Sequence, residues 1–215
     1  MIASIADLVA FLKRFHRHIL NNPSMDRALI PADLPDGLTT IYRELGALVE
    51  IEENPAPFAT QDGLVALSRL KRVDGMVEFA WENQGNWSAR CSVGQGDPPV
   101  YSDAADSWNE ARRGFVVVCE SLNHFLITLC LQEAVMSCRN LVALHTNLPP
   151  DQVLTVPLLP LWLNGHYVNG EADHHFFMSA DQDLLVMDWG GVWIGSPSQK
   201  LAGLVAQGIR VQVLH

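Results

Sequence analysis

The sequence predicts an α+β fold, because helical patterns and β-hairpin patterns both occur along the chain. Apolar residues recur at helical spacing near the N-terminus and again after residue 121. The stretches around residues 76–93 and 175–194 consist instead of short runs of β-favouring residues separated by turn signals. The chain has 215 residues, of which 48% are hydrophobic, so it is long enough to bury a sizeable core.

Two helices are predicted in the N-terminal part of the chain. The first opens with a capping-box pattern at Ser4 and Asp7 and ends before Pro23. The second ends at Gly46, which is predicted to be its C′ residue. The apolar residues at helical spacing are Ile5, Leu8, Val9, Leu12, Phe15 and Ile19 in the first helix, and Leu38, Ile41, Tyr42 and Leu45 in the second.

A strand, a helix and a hairpin are predicted next. Weak alternation favours a strand over residues 48–52, and prolines separate it from a helix predicted over residues 61–72. The runs at 76–81 and 87–93 flank the sequence Asn-Gln-Gly-Asn at 83–86, which is a strong turn signal. These residues therefore predict a β-hairpin.

A buried strand followed by a helix is predicted in the middle of the chain. Residues 115–119 form an apolar, β-branched run, and Ser121 can act as the N-cap of a helix that reaches about Cys138. Four prolines make residues 145–160 the best candidate for a domain boundary. We therefore expect an α+β domain over residues 1–145 and a β-rich extension over residues 146–215 that packs on the same body.

The C-terminal part is predicted to be mainly strands. Residues 175–180 and 184–189 flank a polar turn and predict a second hairpin, and residues 192–194 add a strand. Residues 198–207 are predicted to be helical, and residues 209–214 alternate as a closing strand.

Composition excludes several classes of protein. The formal net charge of −10 opposes non-specific attraction to nucleic acid and favours a basic partner. No apolar run approaches the roughly 18 residues that span a bilayer, and the N-terminus lacks the basic region of a secretory signal. We expect a cytoplasmic protein without membrane contact. The four cysteines show no CxxC pair, so they are predicted to be free thiols.

One cluster contains the residue types of a metal site or a general base. It consists of Glu171, Asp173, His174 and His175. Neighbouring residues of a regular strand point to opposite faces, so the two histidines cannot both face one ion. This cluster has neither the HExxH nor the HxH spacing that would support a metal site.

A reactive thiol is the other catalytic candidate. Cys119 ends an apolar strand just before a predicted helix N-terminus, a position that can lower a thiol pKa. No GxSxG-like elbow surrounds it, so a buried structural cysteine is the favoured interpretation. The sequence thus predicts no catalytic residue, no metal site and no cofactor.

Acidic residues and tryptophans supply the candidate binding surface. Carboxylates in loops and at strand ends can present a negative surface to a basic protein. Trp81 and Trp87 flank the predicted turn, and one of them is expected to face solvent as a binding anchor. The predicted partner-binding residues are Glu50, Glu52, Glu53, Glu82, Trp87, Asp97 and Asp103.

Three motifs follow one another between residues 31 and 140. A leucine-proline pair opens a helix that carries an aromatic residue and ends at glycine, a hairpin contains a polar residue-glycine-asparagine turn, and a serine-capped helix closes the region. In type and order they resemble the SUKH superfamily of bacterial immunity proteins. The matching residues are Leu34, Pro35, Tyr42, Gly46, Gly85, Asn86 and Phe125.

The resemblance implies both an architecture and a role. It implies a central, mainly antiparallel twisted sheet with helices packed on one side. The C-terminal strands have no counterpart in that pattern, and we expect them either to extend this sheet or to duplicate part of it. The resemblance also implies a non-enzymatic bacterial protein that neutralises a toxin, often a nuclease, by direct binding. Two alternatives stay open: a small hydrolase or transferase that uses Asp173, His174 and His175, and a regulatory scaffold similar to the fungal cell-wall regulators of the same superfamily.

Overall fold

The α+β class is confirmed by a computed structural model that describes residues 1–19, 24–49, 60–107, 114–198, 201, 203–206 and 211–214. The helices are α1 (Ile5–Phe15), α2 (Asp36–Val49), α3 (Leu122–Met136) and the single turn α4 (Pro150–Val153). The first six strands are β1 (Asp62–Leu64), β2 (Lys71–Val73), β3 (Met76–Glu82), β4 (Ser88–Ser92), β5 (Val100–Ser102) and β6 (Val116–Cys119). The remaining strands are β7 (Asn140–Leu144), β8 (Leu158–His166), β9 (Ala172–Ser179), β10 (Leu185–Asp188), β11 (Val192–Ser196) and β12 (Val211–Val213).

The first helix forms as its sequence predicts. The backbone N–H of Asp7 donates to Oγ of Ser4 at 3.2 Å, and this hydroxyl in turn donates to the carboxylate of Asp7 at 2.9 Å. This reciprocal contact satisfies a backbone donor that the first turn of a helix leaves free. The apolar stripe of α1 is buried against the other helices.

The second helix is longer than predicted, because Gly46 lies inside α2 and not beyond its end. The prediction that Gly46 is a C′ residue is therefore wrong. A Cβ atom at this position would lie 3.2 Å from Cε of Met25. The glycine lets Met25 pack closely against the helix, and the backbone N–H of Met25 donates to the carbonyl oxygen of Arg43 at 2.8 Å.

We expect Gly46→Ala to raise the free energy of unfolding by about 0.5 kcal/mol, because alanine loses less backbone entropy than glycine inside a helix. The flexible end of Met25 can move by the small distance that the added methyl group requires. Urea unfolding measures the effect. The matched control is Gly85→Ala, where φ is +75° and a loss of about 1 kcal/mol is expected. A similar loss at Gly46 would contradict this account.

The N-terminal sheet has the strand order β1-β3-β4-β5-β6, and β2 also pairs with β3. The hairpin predicted around residues 83–86 is confirmed as β3 and β4. The helix predicted over residues 61–72 is wrong. Leu64, Leu67 and Leu70 follow one another at a spacing of three, which mimics a helix. In the structure β1 and β2 both take their backbone partners from β3.

The C-terminal sheet has the strand order β12-β7-β11-β10-β9-β8. The prediction that the C-terminal strands extend the N-terminal sheet is therefore wrong. These strands build a second sheet around the hairpin β9–β10. The strand predicted over residues 209–214 is confirmed as β12. The described residues of 198–207 are not helical, and Val205 forms an isolated bridge with Leu154 instead. Strand β7 joins this sheet although it precedes the boundary predicted at residue 145.

Helix α3 contacts strands of both sheets. It is apolar around its whole circumference, which is typical of a helix buried on all sides. The predicted N-cap is confirmed, because Oγ of Ser121 accepts the backbone N–H of His124 at 3.0 Å. No helix among the described residues combines the length and the apolar character that crossing a membrane requires.

Candidate functional site

A cleft of about 280 Å³ lies where α3 meets both sheets, and we call it the inter-sheet cleft. Its polar lining includes Asp62 of β1, Glu82 of β3, Gln132 of α3 and His174 of β9. Its aromatic lining consists of Trp87, Tyr167, Trp189 and Trp193. Residues from distant parts of the sequence therefore meet in one place.

Asp62 lies at the buried end of this cleft. Its Oδ2 atom accepts hydrogen bonds from the hydroxyl of Tyr167 at 2.8 Å and from Nε2 of Gln132 at 2.6 Å. Burial raises the pKa of Asp62 to about 6, and the nearby charge of Glu82 acts in the same direction, while the two hydrogen bonds oppose it. Near neutral pH the cleft therefore contains a desolvated carboxylate.

Glu133, which follows Gln132 on α3, contacts the backbone of Asp62. Its carboxylate accepts the backbone N–H groups of Thr60 at 2.9 Å, Gln61 at 3.2 Å and Asp62 at 3.0 Å. These bonds fix the start of β1 against the helix. Burial and the charge of Asp62 raise the pKa of Glu133 to about 8, against the effect of the backbone donors. Two interacting carboxyl groups thus lie at this end of the cleft, Asp62 in its lining and Glu133 behind Asp62.

His174 is fixed in one orientation by its neighbours. Its Nδ1 atom lies 2.7 Å from Oδ1 of Asp173, whose other oxygen accepts Nδ2 of Asn169 at 2.9 Å. A carboxylate can only accept, so Nδ1 carries the proton and Nε2 of the neutral ring is an acceptor. Burial lowers the pKa of His174, although Asp173 opposes this shift. The ring also stacks on Trp189, with centroids 4.8 Å apart.

Three buried atoms of the inter-sheet cleft have no hydrogen-bond partner within the described part of the chain. They are Oδ1 of Asp62, Oε1 of Gln132 and Nε2 of His174, and we call them the acceptor set. Nε2 of Gln132 faces Asp62 because only that end of the amide can donate, which leaves Oε1 as an acceptor. Buried polar atoms in proteins are nearly always paired, so this set indicates a binding site.

Aromatic rings form the walls of the cleft. Tyr167 contacts Trp87 edge-on at 5.7 Å and His174 at 5.3 Å between ring centroids. The indole N–H of Trp193 donates to the carbonyl oxygen of Trp189 at 3.1 Å. The electron-rich faces of such rings attract cations.

The turn between β3 and β4 builds the rim. Oε2 of Glu82 accepts the backbone N–H groups of Gln84 at 2.9 Å and of Asn86 at 3.1 Å. Gly85 has φ of +75°, in the left-handed region that favours glycine. The backbone of the polar residue-glycine-asparagine motif therefore holds the carboxylate of Glu82 in place.

The predicted partner-binding residues lie in different environments. Glu82 and Trp87 are buried and line the cleft, and the solvent-facing tryptophan of the pair is Trp81, which is 42% exposed. Asp97 and Asp103 accept backbone N–H groups, from Asn123 and Ser88 respectively, both at 2.7 Å. These contacts give the two aspartates a structural role, and their part in partner binding stays a prediction. The remaining residues, Glu50, Glu52 and Glu53, lie outside the described residues. Of the strand predicted over 48–52, the first two residues are helical and end α2, so that part of the prediction is wrong, and the rest lies outside the described residues.

The predicted histidine cluster separates as the alternation of a strand requires. His174 faces the cleft, whereas Nδ1 of His175 accepts the backbone N–H of Asn164 at 3.1 Å. The alternative that uses Asp173, His174 and His175 together is therefore reduced to the first two residues. Among the described residues, no group of three or more histidine, cysteine, aspartate or glutamate residues could hold a metal ion.

The cysteines are free and buried, which confirms the prediction of free thiols. Sγ of Cys119 donates to the carbonyl oxygen of Ser121 at 3.2 Å, and burial raises the pKa of its thiol. A raised pKa disfavours the reactive thiolate.

Sequence reasoning missed Asp62, Gln132, Glu133 and Tyr167. One signal was present, because Gln132 and Glu133 are adjacent polar residues in the otherwise apolar C-terminal half of α3, from Leu129 to Met136. Polar residues in a fully buried helix need partners, so they point to a buried polar site.

Comparison of this chain with protein-family models, curated proteins and solved structures gives no significant match.

Proposed function

We propose that this chain is a non-catalytic protein-binding module, and specifically an immunity protein of the SUKH type that neutralises a cognate bacterial toxin by direct binding. The observation that supports this proposal is the acceptor set in the inter-sheet cleft. A site with unpaired acceptors and neighbouring carboxylates selects a partner that brings hydrogen-bond donors and positive charge.

Charge supports a basic partner. The formal net charge of −10 attracts basic proteins at long range, and nucleases carry basic residues because they bind phosphate. Blocking such residues with an acidic surface prevents nucleic acid from binding. Toxin neutralisation by occupancy requires no chemical step from this chain.

Some of the residues that carry the family resemblance contact residues that line the cleft. The motif residues Gly85 and Asn86 form the rim and hold Glu82 in place. Phe125 of the closing helix stacks on Tyr167 with ring centroids 5.2 Å apart. The motifs thus support the walls of the proposed site.

The Asp173–His174 pair favours a second candidate function. A neutral histidine that is oriented by a carboxylate and presents Nε2 to a cleft has the geometry of a general base. The corresponding activity is hydrolysis by an activated water molecule, in a small hydrolase.

Capture and rescue experiments test the proposal. The tagged chain is expected to retain a stoichiometric partner from its native host, or from cells that express the adjacent reading frames, and high salt weakens this binding. Expressed alone, the partner arrests growth, and co-expression of this chain restores it. A partner that is not toxic contradicts the proposal. Turnover of reporter esters by the wild-type protein, abolished in His174→Gln, would support the hydrolase instead.

A further inference from the structure

We infer that the inter-sheet cleft binds a single guanidinium group, presented by an arginine side chain of a protein partner. This inference rests on the proposed function for the source of the arginine. The binding of the guanidinium group itself rests on the contacts inside the cleft.

Hydrogen bonding defines the first requirement. Asp62, Gln132 and His174 are each more than nine-tenths buried, and each presents one unpaired acceptor within the described chain. A ligand without donors would cover these atoms without giving them hydrogen bonds, and the desolvation penalty of each acceptor would then oppose binding. The ligand must therefore carry several donors, and a guanidinium group carries five N–H donors and no acceptor.

Charge defines the second requirement. The carboxyl groups of Asp62 and Glu82 line the cleft, and Glu133 lies directly behind Asp62. Burial raises the pKa values of Asp62 and Glu133, and repulsion from Glu82 on Asp62 and from Asp62 on Glu133 acts in the same direction, so the fold disfavours negative charge at this site. A cation removes this penalty, whereas a neutral donor does not.

Shape separates a guanidinium from an ammonium group. Trp189, Tyr167 and Trp87 line the cleft with aromatic rings, and a planar cation stacks on such rings while it donates in its own plane. An ammonium group is a strongly hydrated point charge that cannot stack. The volume of about 280 Å³ is at the lower end of the range of small-molecule pockets, roughly 300–1,000 Å³, and suits one side chain.

Calorimetry with small probes tests the inference without any protein partner. Ethylguanidinium is expected to bind with a Kd on the order of 1–10 mM, while its neutral analogue ethylurea and propylammonium bind at least about tenfold more weakly. Asp62→Asn weakens ethylguanidinium binding by at least about tenfold. Asp74→Asn is the matched control, since it removes one carboxylate from an exposed turn and leaves the affinity unchanged.

Proton release provides a readout that needs no variant. A bound cation favours the ionised form of Asp62, whose titratable neighbours are Glu82, Glu133 and Tyr167. Titrations at pH 6 in two buffers of different ionisation enthalpy should therefore show protons released on binding. Equal affinity for ethylurea or propylammonium, unchanged binding in Asp62→Asn, or no binding of ethylguanidinium overturns the inference. If the chain binds ethylguanidinium but the captured partner is not a toxin, the proposed function is overturned and the inferred guanidinium site still stands.

Discussion

Phe125→Ala is expected to lower the free energy of unfolding by about 4 kcal/mol, because it removes a fully buried ring and leaves a cavity. Phe125 lies on α3 and packs edge-on against Phe79 of the N-terminal sheet at 5.7 Å between ring centroids. On its other side it stacks on Tyr167, which follows β8 of the C-terminal sheet. Loss of this ring therefore weakens the contacts of α3 with both halves of the core.

Urea unfolding, followed by circular dichroism and tryptophan fluorescence, measures this loss. Leu29→Ala is the matched control, because Leu29 is 67% exposed and its truncation should change stability by less than about 0.5 kcal/mol. The same small change in Phe125→Ala would mean that α3 does not join the two sheets.

Asp62→Asn is expected to become more stable than the wild type as the pH rises from about 4 to 6. The pKa of Asp62 is raised from 3.8 to about 6 in the folded chain. Between these values the folded state keeps a proton that the unfolded state has lost, so wild-type stability decreases as the pH rises and the loss is complete above about pH 6. The shift corresponds to about 3 kcal/mol.

The difference between variant and wild type removes the contributions of titrating groups that Asp62 does not perturb, whereas Glu133, whose pKa is raised by burial and by the charge of Asp62, adds to the difference in the same direction. His124 and His174 have lowered pKa values through burial, so their contributions to stability are lost as the pH falls, and they cancel in the difference. Unfolding in urea at pH 4, 6 and 8 gives the profile. Asp74→Asn, which removes a carboxylate from an exposed turn, is the control variant, and a flat profile for Asp62→Asn would contradict the burial of an ionised carboxylate.

The two results for Asp62→Asn would together identify a functional residue. If replacing Asp62 by the neutral asparagine stabilises the fold but weakens ethylguanidinium binding, then Asp62 serves binding at the expense of stability. Phe125→Ala would instead lower the stability of the fold, since its buried ring packs between Phe79 and Tyr167.

Local sequence signals predicted the local structure well. Ser4 and Ser121 were identified as N-caps because a hydroxyl beside an apolar periodic run satisfies free N–H groups within a few residues. Hairpins β3–β4 and β9–β10 were identified because their turns lie between short β-favouring runs. In each case the interacting groups are close together in the sequence.

The same signals failed where the partner lies far away. The spacing of Leu64, Leu67 and Leu70 favoured a helix, but β3 provided backbone partners for β1 and β2. Gly46 was predicted to end the second helix, but it lies inside α2, where Met25 packs closely against it. Propensity is a weak guide when tertiary contacts satisfy the backbone in another way.

By itself, the sequence determined the α+β class, the acidic character, the free cysteines and the alternation that separates His174 from His175. Only the tertiary structure determined the second sheet and the inter-sheet cleft. Asp62 contacts Gln132 across 70 positions and Tyr167 across 105 positions of the chain. Such contacts depend on how α3 and the two sheets pack, and no short-range pattern of residues encodes that packing.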